Sequence, residues 1–98
     1  MEQTQMTMIF TQMQNRSHTE ITAQILDAAI KPISKTRLMY SAYISTRQAQ
    51  DYFTELIEKK LLFYNPLRKT YLTTDLGKKY LKIHDSLVKL GKVVDKQQ

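Results

Sequence analysis

The chain has 98 residues, enough for one domain or one domain with a tail. It has no cysteine, which excludes a disulfide framework, a thiolate metal site and a cysteine nucleophile. Fifteen Lys and Arg against nine Asp and Glu leave a net charge of +6, and a basic balance of this kind suits a polyanionic partner.

The charge is unevenly placed. Residues 1–15 hold one acid and no base, residues 16–73 hold nine bases and five acids, and residues 74–98 hold six and three. The positive excess therefore belongs to the part expected to fold. No apolar run approaches the roughly 20 residues that span a bilayer. The first 15 residues have neither a basic start nor a small-residue cleavage site, so no signal peptide is expected. These features predict a soluble cytoplasmic protein, nucleoid-associated if its partner is DNA, with no membrane role.

Residues 1–15 are rich in Gln, Thr and Met around one apolar cluster, Met8, Ile9 and Phe10, and read as a flexible arm or a short add-on strand or helix. Ser17 and Glu20 form an S-x-x-E capping pattern. Ile21, Ile25, Ala28 and Ala29 follow at helical spacing, which predicts a first helix over about 18–30, stopped by Pro32. Ser34 caps a second helix over 35–42 with Leu38, Met39 and Ala42 inward. Ser45 and Gln48 repeat the capping pattern, and a third helix is predicted over 46–60. Its buried stripe is Ala49, Tyr52, Phe53, Leu56 and Ile57.

Two short β-prone runs, 61–64 and 70–73, flank Asn65-Pro66-Leu67-Arg68-Lys69 and predict a hairpin. Thr74 caps a fourth helix over 75–94. Its apolar residues Leu76, Tyr80, Ile83, Leu87, Leu90 and Val94 alternate by four and three, the pattern of a coiled-coil seam. Leu76 and Tyr80 are expected to cover the chain's own domain. Ile83, Leu87, Leu90 and Val94 are expected to face a partner helix in a homodimer. Gly91 interrupts this stripe at a cost of about 1 kcal/mol.

The second and third helices, joined by Tyr43-Ile44, have the layout of a helix-turn-helix, and the hairpin supplies a wing. The predicted fold is mainly α with a small β-hairpin. It divides into an arm (1–15), a winged helix-turn-helix domain (16–74), and a C-terminal dimerisation helix with its tail (75–98).

Candidate DNA contacts follow from these placements. Ser45, Thr46, Arg47, Gln48 and Gln50 lie at the start of the third helix, where Arg suits guanine and Gln suits adenine in the major groove. Exposed Arg and Gln are also ordinary surface residues. Asp51, Glu55 and Glu58 further along would repel phosphate, so only the first part of this helix is expected to enter the groove. Lys35, Thr36 and Arg37 start the second helix, where backbone N–H groups and two cations suit a phosphate. Asn65, Arg68 and Lys69 lie at the wing tip, and Arg16 lies where an arm could reach a phosphate. The six tyrosines are read mainly as core or rim packing, although tyrosines also stack on single-stranded bases. His18 and His84 are isolated and suggest no metal site. With no nucleophile–base pattern and only two glycines, neither catalysis nor a cofactor is expected.

Arg16, T-E-I at 19–21, I-L-D-A-A at 25–29, K-T-R-L-M-Y-S-A at 35–42, Ser45, Tyr52, Leu56 and Y-L-T-T-D-L-G at 71–77 with Tyr80 and Leu81 form a recognisable set. On these residues the chain resembles the small archaeal winged-helix DNA-binding proteins, the Sulfolobus-type chromatin-associated dimers and related predicted transcriptional regulators. The K-T-R-L-M-Y run is the most specific part. The resemblance implies a winged helix dimerised through an antiparallel coiled coil of C-terminal helices and bound to double-stranded DNA. The family usually has glycine where this chain has Lys60, so the third helix is expected to leave toward the wing at a cost or by another path. The last helix is also shorter than in the family. The competing class is a winged helix that docks onto other proteins without touching DNA, favoured by the acids of the third helix and the apolar arm.

Overall fold

A computed structural model describes the backbone of residues 16–97 and the side chains of residues 16–91. The arm over residues 1–15 and the side chain of Val94 lie outside the described residues. In chain order the elements are α1 (His18–Ala28), β1 (Ile33–Ser34), α2 (Lys35–Ala42), α3 (Thr46–Glu58), β2 (Leu62–Asn65), β3 (Thr70–Thr73) and α4 (Asp75–Gln97).

Three serines start the first three helices. Ser17, Ser34 and Ser45 each hold extended backbone and accept an N–H from the residue three positions on. Each bond satisfies one of the donors that a helix start leaves unpaired. At Ser45 the box is reciprocal, because Gln48 Oε1 accepts the Ser45 N–H at 3.0 Å. Thr74 does the same for α4, accepting the Gly77 N–H at 3.0 Å.

Two helices end in left-handed residues that are not glycine. Tyr43 closes α2 with φ 54°, and its N–H and that of Ile44 reach back to Tyr40 and Met39. Lys60 follows α3 with φ 62°, and the N–H groups of Lys60 and Leu61 reach Ile57 and Leu56. Both ends are Schellman closures, completed by burial of the following residue, Ile44 or Leu61. Lys60 therefore keeps the exit a glycine would take, at roughly 1–2 kcal/mol of backbone strain. This closure ends α3 at Glu58, two residues short of the predicted 60. Similarly α1 stops at Ala28, because Ala29 is already its cap.

The sheet has three antiparallel strands in the order β1-β3-β2, one more than the predicted hairpin. The extra strand is two residues, pairing Ile33 with Tyr71 and Ser34 with Thr70. The wing itself pairs Leu62 with Thr73 through Asn65 with Thr70. The core lies between the helices and the sheet. Ile25, Leu26, Leu38, Leu56 and Leu62 are fully buried, each worth about 1.5–3 kcal/mol by transfer from water. Thr73 locks the sheet to the end of α1: its N–H reaches Ala29 O at 2.7 Å and its hydroxyl donates to Leu26 O at 2.6 Å.

The predicted inward stripes hold with two exceptions. Ile57 is 39% exposed, since α3 packs through Ala49, Phe53 and Leu56. Leu76 is 50% exposed, because α4 meets the domain one residue later, at Gly77. A side chain at Gly77 would stand 2.3 Å from Leu61 O, so only glycine lets the helix approach. Tyr80 and Leu81 continue this contact against the core. Beyond His84, every residue of α4 from Asp85 to Gly91 is exposed. The helix leaves the domain, and the molecule measures 49 × 33 × 20 Å.

Candidate nucleic-acid interface

The start of α3 is held rigidly. Ser45 and Gln48 spend their side chains on the reciprocal capping box. Of the residues predicted to read bases there, this leaves Thr46, Arg47 and Gln50 with side chains exposed and, among the described residues, not engaged in a cap. With Ala49, Phe53 and Leu56 inward, Arg47, Gln50, Asp51 and Thr54 share the outer face at helical spacing. Thr54 belongs to this stripe and was missed, although its position seven residues after Arg47 gives it away. Glu55 points elsewhere. The Lys59 ammonium donates to it at 3.1 Å and His18 Nε2 lies 3.1 Å away, so its carboxyl sits below the ordinary 4.5. Of the three acids expected to repel phosphate, it is the one with an ion-pair partner among the described residues.

The turn between α2 and α3 is clamped from the start of α1. The Arg16 guanidinium donates to Ala42 O at 2.6 Å, to Tyr43 O at 2.8 Å, and to Gln24 Oε1. This planar fork satisfies carbonyls that the end of α2 leaves open. Arg16 is thus a brace of the helix-turn-helix rather than a side chain reaching for phosphate. His18, stacked on Tyr52 with ring centroids 4.9 Å apart, adds a second tie between α1 and α3. Burial is the first cause that raises the Tyr52 hydroxyl above its ordinary value, followed by the Glu55 carboxylate.

The start of α2 and the wing loop are brought together by the sheet. Ser34, the cap of α2, pairs with Thr70, which also pairs with Asn65 at the other side of the loop. Lys35, Thr36 and Arg37 therefore begin beside the base of the loop that carries Arg68 and Lys69. All five side chains are exposed. Lys31, not singled out from the sequence, joins Arg37 in lining a shallow depression of about 350 Å³ with Ala28, Pro32, Ile33 and Ser34. Among the described residues, the ion pairs are His18–Glu55, Lys59–Glu55 and Lys89–Asp85. None involves Lys31, Lys35, Arg37, Arg47, Arg68 or Lys69.

The wing root is fixed on α3 by aromatic packing. Phe53 and Tyr71 have centroids 4.9 Å apart, and Tyr64 and Tyr71 4.8 Å. Four tyrosines pack as expected, but Tyr40 and Tyr43 at the end of α2 are exposed and do not. The loop is braced by Asn65, whose Oδ1 accepts the N–H groups of Leu67 at 3.0 Å and Arg68 at 3.3 Å. Asn65 thus shapes the wing tip with its own side chain.

Three helices, a three-stranded sheet and a braced wing following a helix-turn-helix define a winged helix. The chain belongs to the winged helix-turn-helix family, whose model matches residues 15–92. Among solved structures it is similar to Sso10a-2, a DNA-binding protein from Sulfolobus solfataricus. The two are 24% identical, the match covers 84% of this chain and 88% of that one, and the TM-score is 0.76. Among the curated proteins, none matches this chain. No helix of the described residues is long and apolar enough to cross a membrane.

Proposed function

We propose that this chain is a homodimeric protein that binds double-stranded DNA as a transcriptional regulator or a chromatin-type architectural protein. The observation that carries the reading is the set of exposed cations at the starts of α2 and α3 and on the wing loop that have no ion-pair partner among the described residues. In this reading α3 lies in the major groove, with Arg47 and Gln50 toward base edges. Lys35, Arg37, Arg68 and Lys69 meet phosphates. The DNA-binding relative Sso10a-2, which shares the fold, supports the choice of partner. Such a protein would reside in the cytoplasm on the nucleoid and has no need of a cofactor or catalytic group.

Dimerisation belongs to the same proposal. Ile83, Leu87 and Leu90 are 63%, 61% and 59% exposed on one edge of α4. A row of large apolar side chains this open supports the reading that a second copy covers it.

The test is a titration of duplex DNA at several salt concentrations. If each subunit neutralises about three to five phosphates, the dimer should give a log–log salt slope of roughly −5 to −9. Lys35→Ala and Arg68→Ala should each flatten it and weaken all sequences alike. A flat response, or no binding at low salt, would favour a protein-docking winged helix. The exposed Tyr40 and Phe63 are the observations on the side of that second reading.

A further inference from the structure

The wing tip carries a leucine where turns usually place polar residues. Leu67 is 93% exposed, more than any other large apolar side chain among the described residues. One exposed leucine is ordinary on a protein surface. The setting of this one is not. Pro66 before it has its φ fixed by its ring. The Leu67 N–H is spent on Asn65 Oδ1, and Lys69 two residues on is left-handed with φ 54°. The leucine is therefore held out by a loop already in one shape, so little ordering cost falls on binding. Arg68 and Lys69 follow it directly.

The dimensions restrict what such a tip can do on a duplex. Paired strands lie about 4.8 Å apart, backbone to backbone, before side chains are added. The minor groove of B-DNA is only about 6 Å wide. The hairpin cannot enter; a side chain at its tip can. Leucine has no donor or acceptor for a base edge and no charge for a phosphate. Beyond the C–H edges of the sugars along its walls, the large apolar surface that a duplex offers from the minor groove is the face of a base, uncovered when a step opens.

We propose that Leu67 is an apolar wedge that the wing tip drives into a base step from the minor-groove side, bending the duplex, with Arg68 and Lys69 on the flanking phosphates. The proposal rests on the duplex-binding reading and selects its architectural form. The bend is read by energy transfer between dyes at the two ends of a duplex of about 25 base pairs with a central TA step, a step that kinks easily. The intact protein brings the ends together. Leu67→Ala and Leu67→Gln bind with the same salt slope and leave the duplex straight. A mismatch at the step removes part of the unstacking cost, so the intact protein binds that duplex roughly tenfold tighter and Leu67→Ala shows no preference. Both variants keep the unfolding midpoint of the parent, since the side chain buries almost nothing. Binding by the intact protein without a bend overturns the wedge and leaves the duplex reading standing, as does a full bend by Leu67→Ala. No binding to any duplex at low salt overturns the duplex reading itself.

Discussion

At the scale of single residues, the two glycines behave in opposite ways. A methyl at Gly77 would meet Leu61 O at 2.3 Å and the Thr73 methyl at 2.6 Å. Leu61 O cannot move aside, because it already accepts the Thr74 N–H. Gly77→Ala should therefore cost about 1–3 kcal/mol, the range of an overpacked core site. Gly91 has nothing within 4 Å of the same added atom. Gly91→Ala should gain up to about 1 kcal/mol from helix propensity alone. Urea unfolding of the two variants checks both signs, and equal shifts would mean that α4 does not dock through Gly77. Arg47 offers a functional counterpart. If it reads a base, Arg47→Ala should cost about 1–3 kcal/mol on a preferred site and much less on random DNA. A folded variant that keeps its full sequence preference would pass the role to Gln50 or Thr54.

At the scale of elements, the helix-turn-helix depends on a residue outside it. Arg16 holds two carbonyls at the end of α2, and a guanidinium replaced by a methyl leaves both without that partner. Arg16→Ala should lower stability by about 1.5–3 kcal/mol, the range for hydrogen bonds to a charged group. Its salt slope on DNA should match the parent's, which separates a brace from a phosphate contact. Such contacts explain what could be read from the sequence and what could not. Helix starts were legible because Ser17, Ser34, Ser45 and Thr74 cap through local bonds, whereas Pro32 marked the end of α1 only to within two residues, since Ala29 is already its cap. The Arg16 clamp joins residues 26 and 27 positions apart, and no local pattern announces it. Strand β1 is two residues long and has no periodicity to detect. The left-handed end at Tyr43 was hidden for a different reason, since it is not the glycine that signals such a turn, whereas Lys60 was marked by the glycine the family has there. Leu76 was given the wrong side because the apolar alternation marks a stripe without saying what covers it. The position of close approach was marked instead by the adjacent glycine. The candidate site was legible as a set of exposed positions. The pairing of Gln48 with Ser45, and the sheet contact that puts Lys35 beside the wing loop, needed the fold.

At the scale of the whole molecule, the open question on the surface of α4 is what meets Ile83, Leu87 and Leu90. In the dimer reading these side chains bury one another across two copies. Leu87→Glu should then give a monomer, or a chain that no longer folds. Light scattering at micromolar concentration reads the mass, and circular dichroism separates the two outcomes. A stable monomer of the unsubstituted chain at that concentration would remove the dimer from the proposal. A chain of 98 residues has a modest core, so a shared interface would also add to its stability.

Thr74 alone separates the wing from the long helix. Its hydroxyl donates to Lys60 O at 2.7 Å, and its N–H reaches Leu61 O at 3.1 Å, both at the exit of α3. The long helix, the wing and α3 thus share one hydrogen-bonded joint. In a dimer built on α4, the molecule works as a caliper with fixed jaws: the crossing of the two long helices sets the span between the two reading heads. Half-sites face the same side of a duplex only near multiples of about 34–36 Å. Any misfit in phase must then be taken up by twisting the DNA or by bending the exposed part of α4, since the joint at Thr74 is tied to the exit of α3.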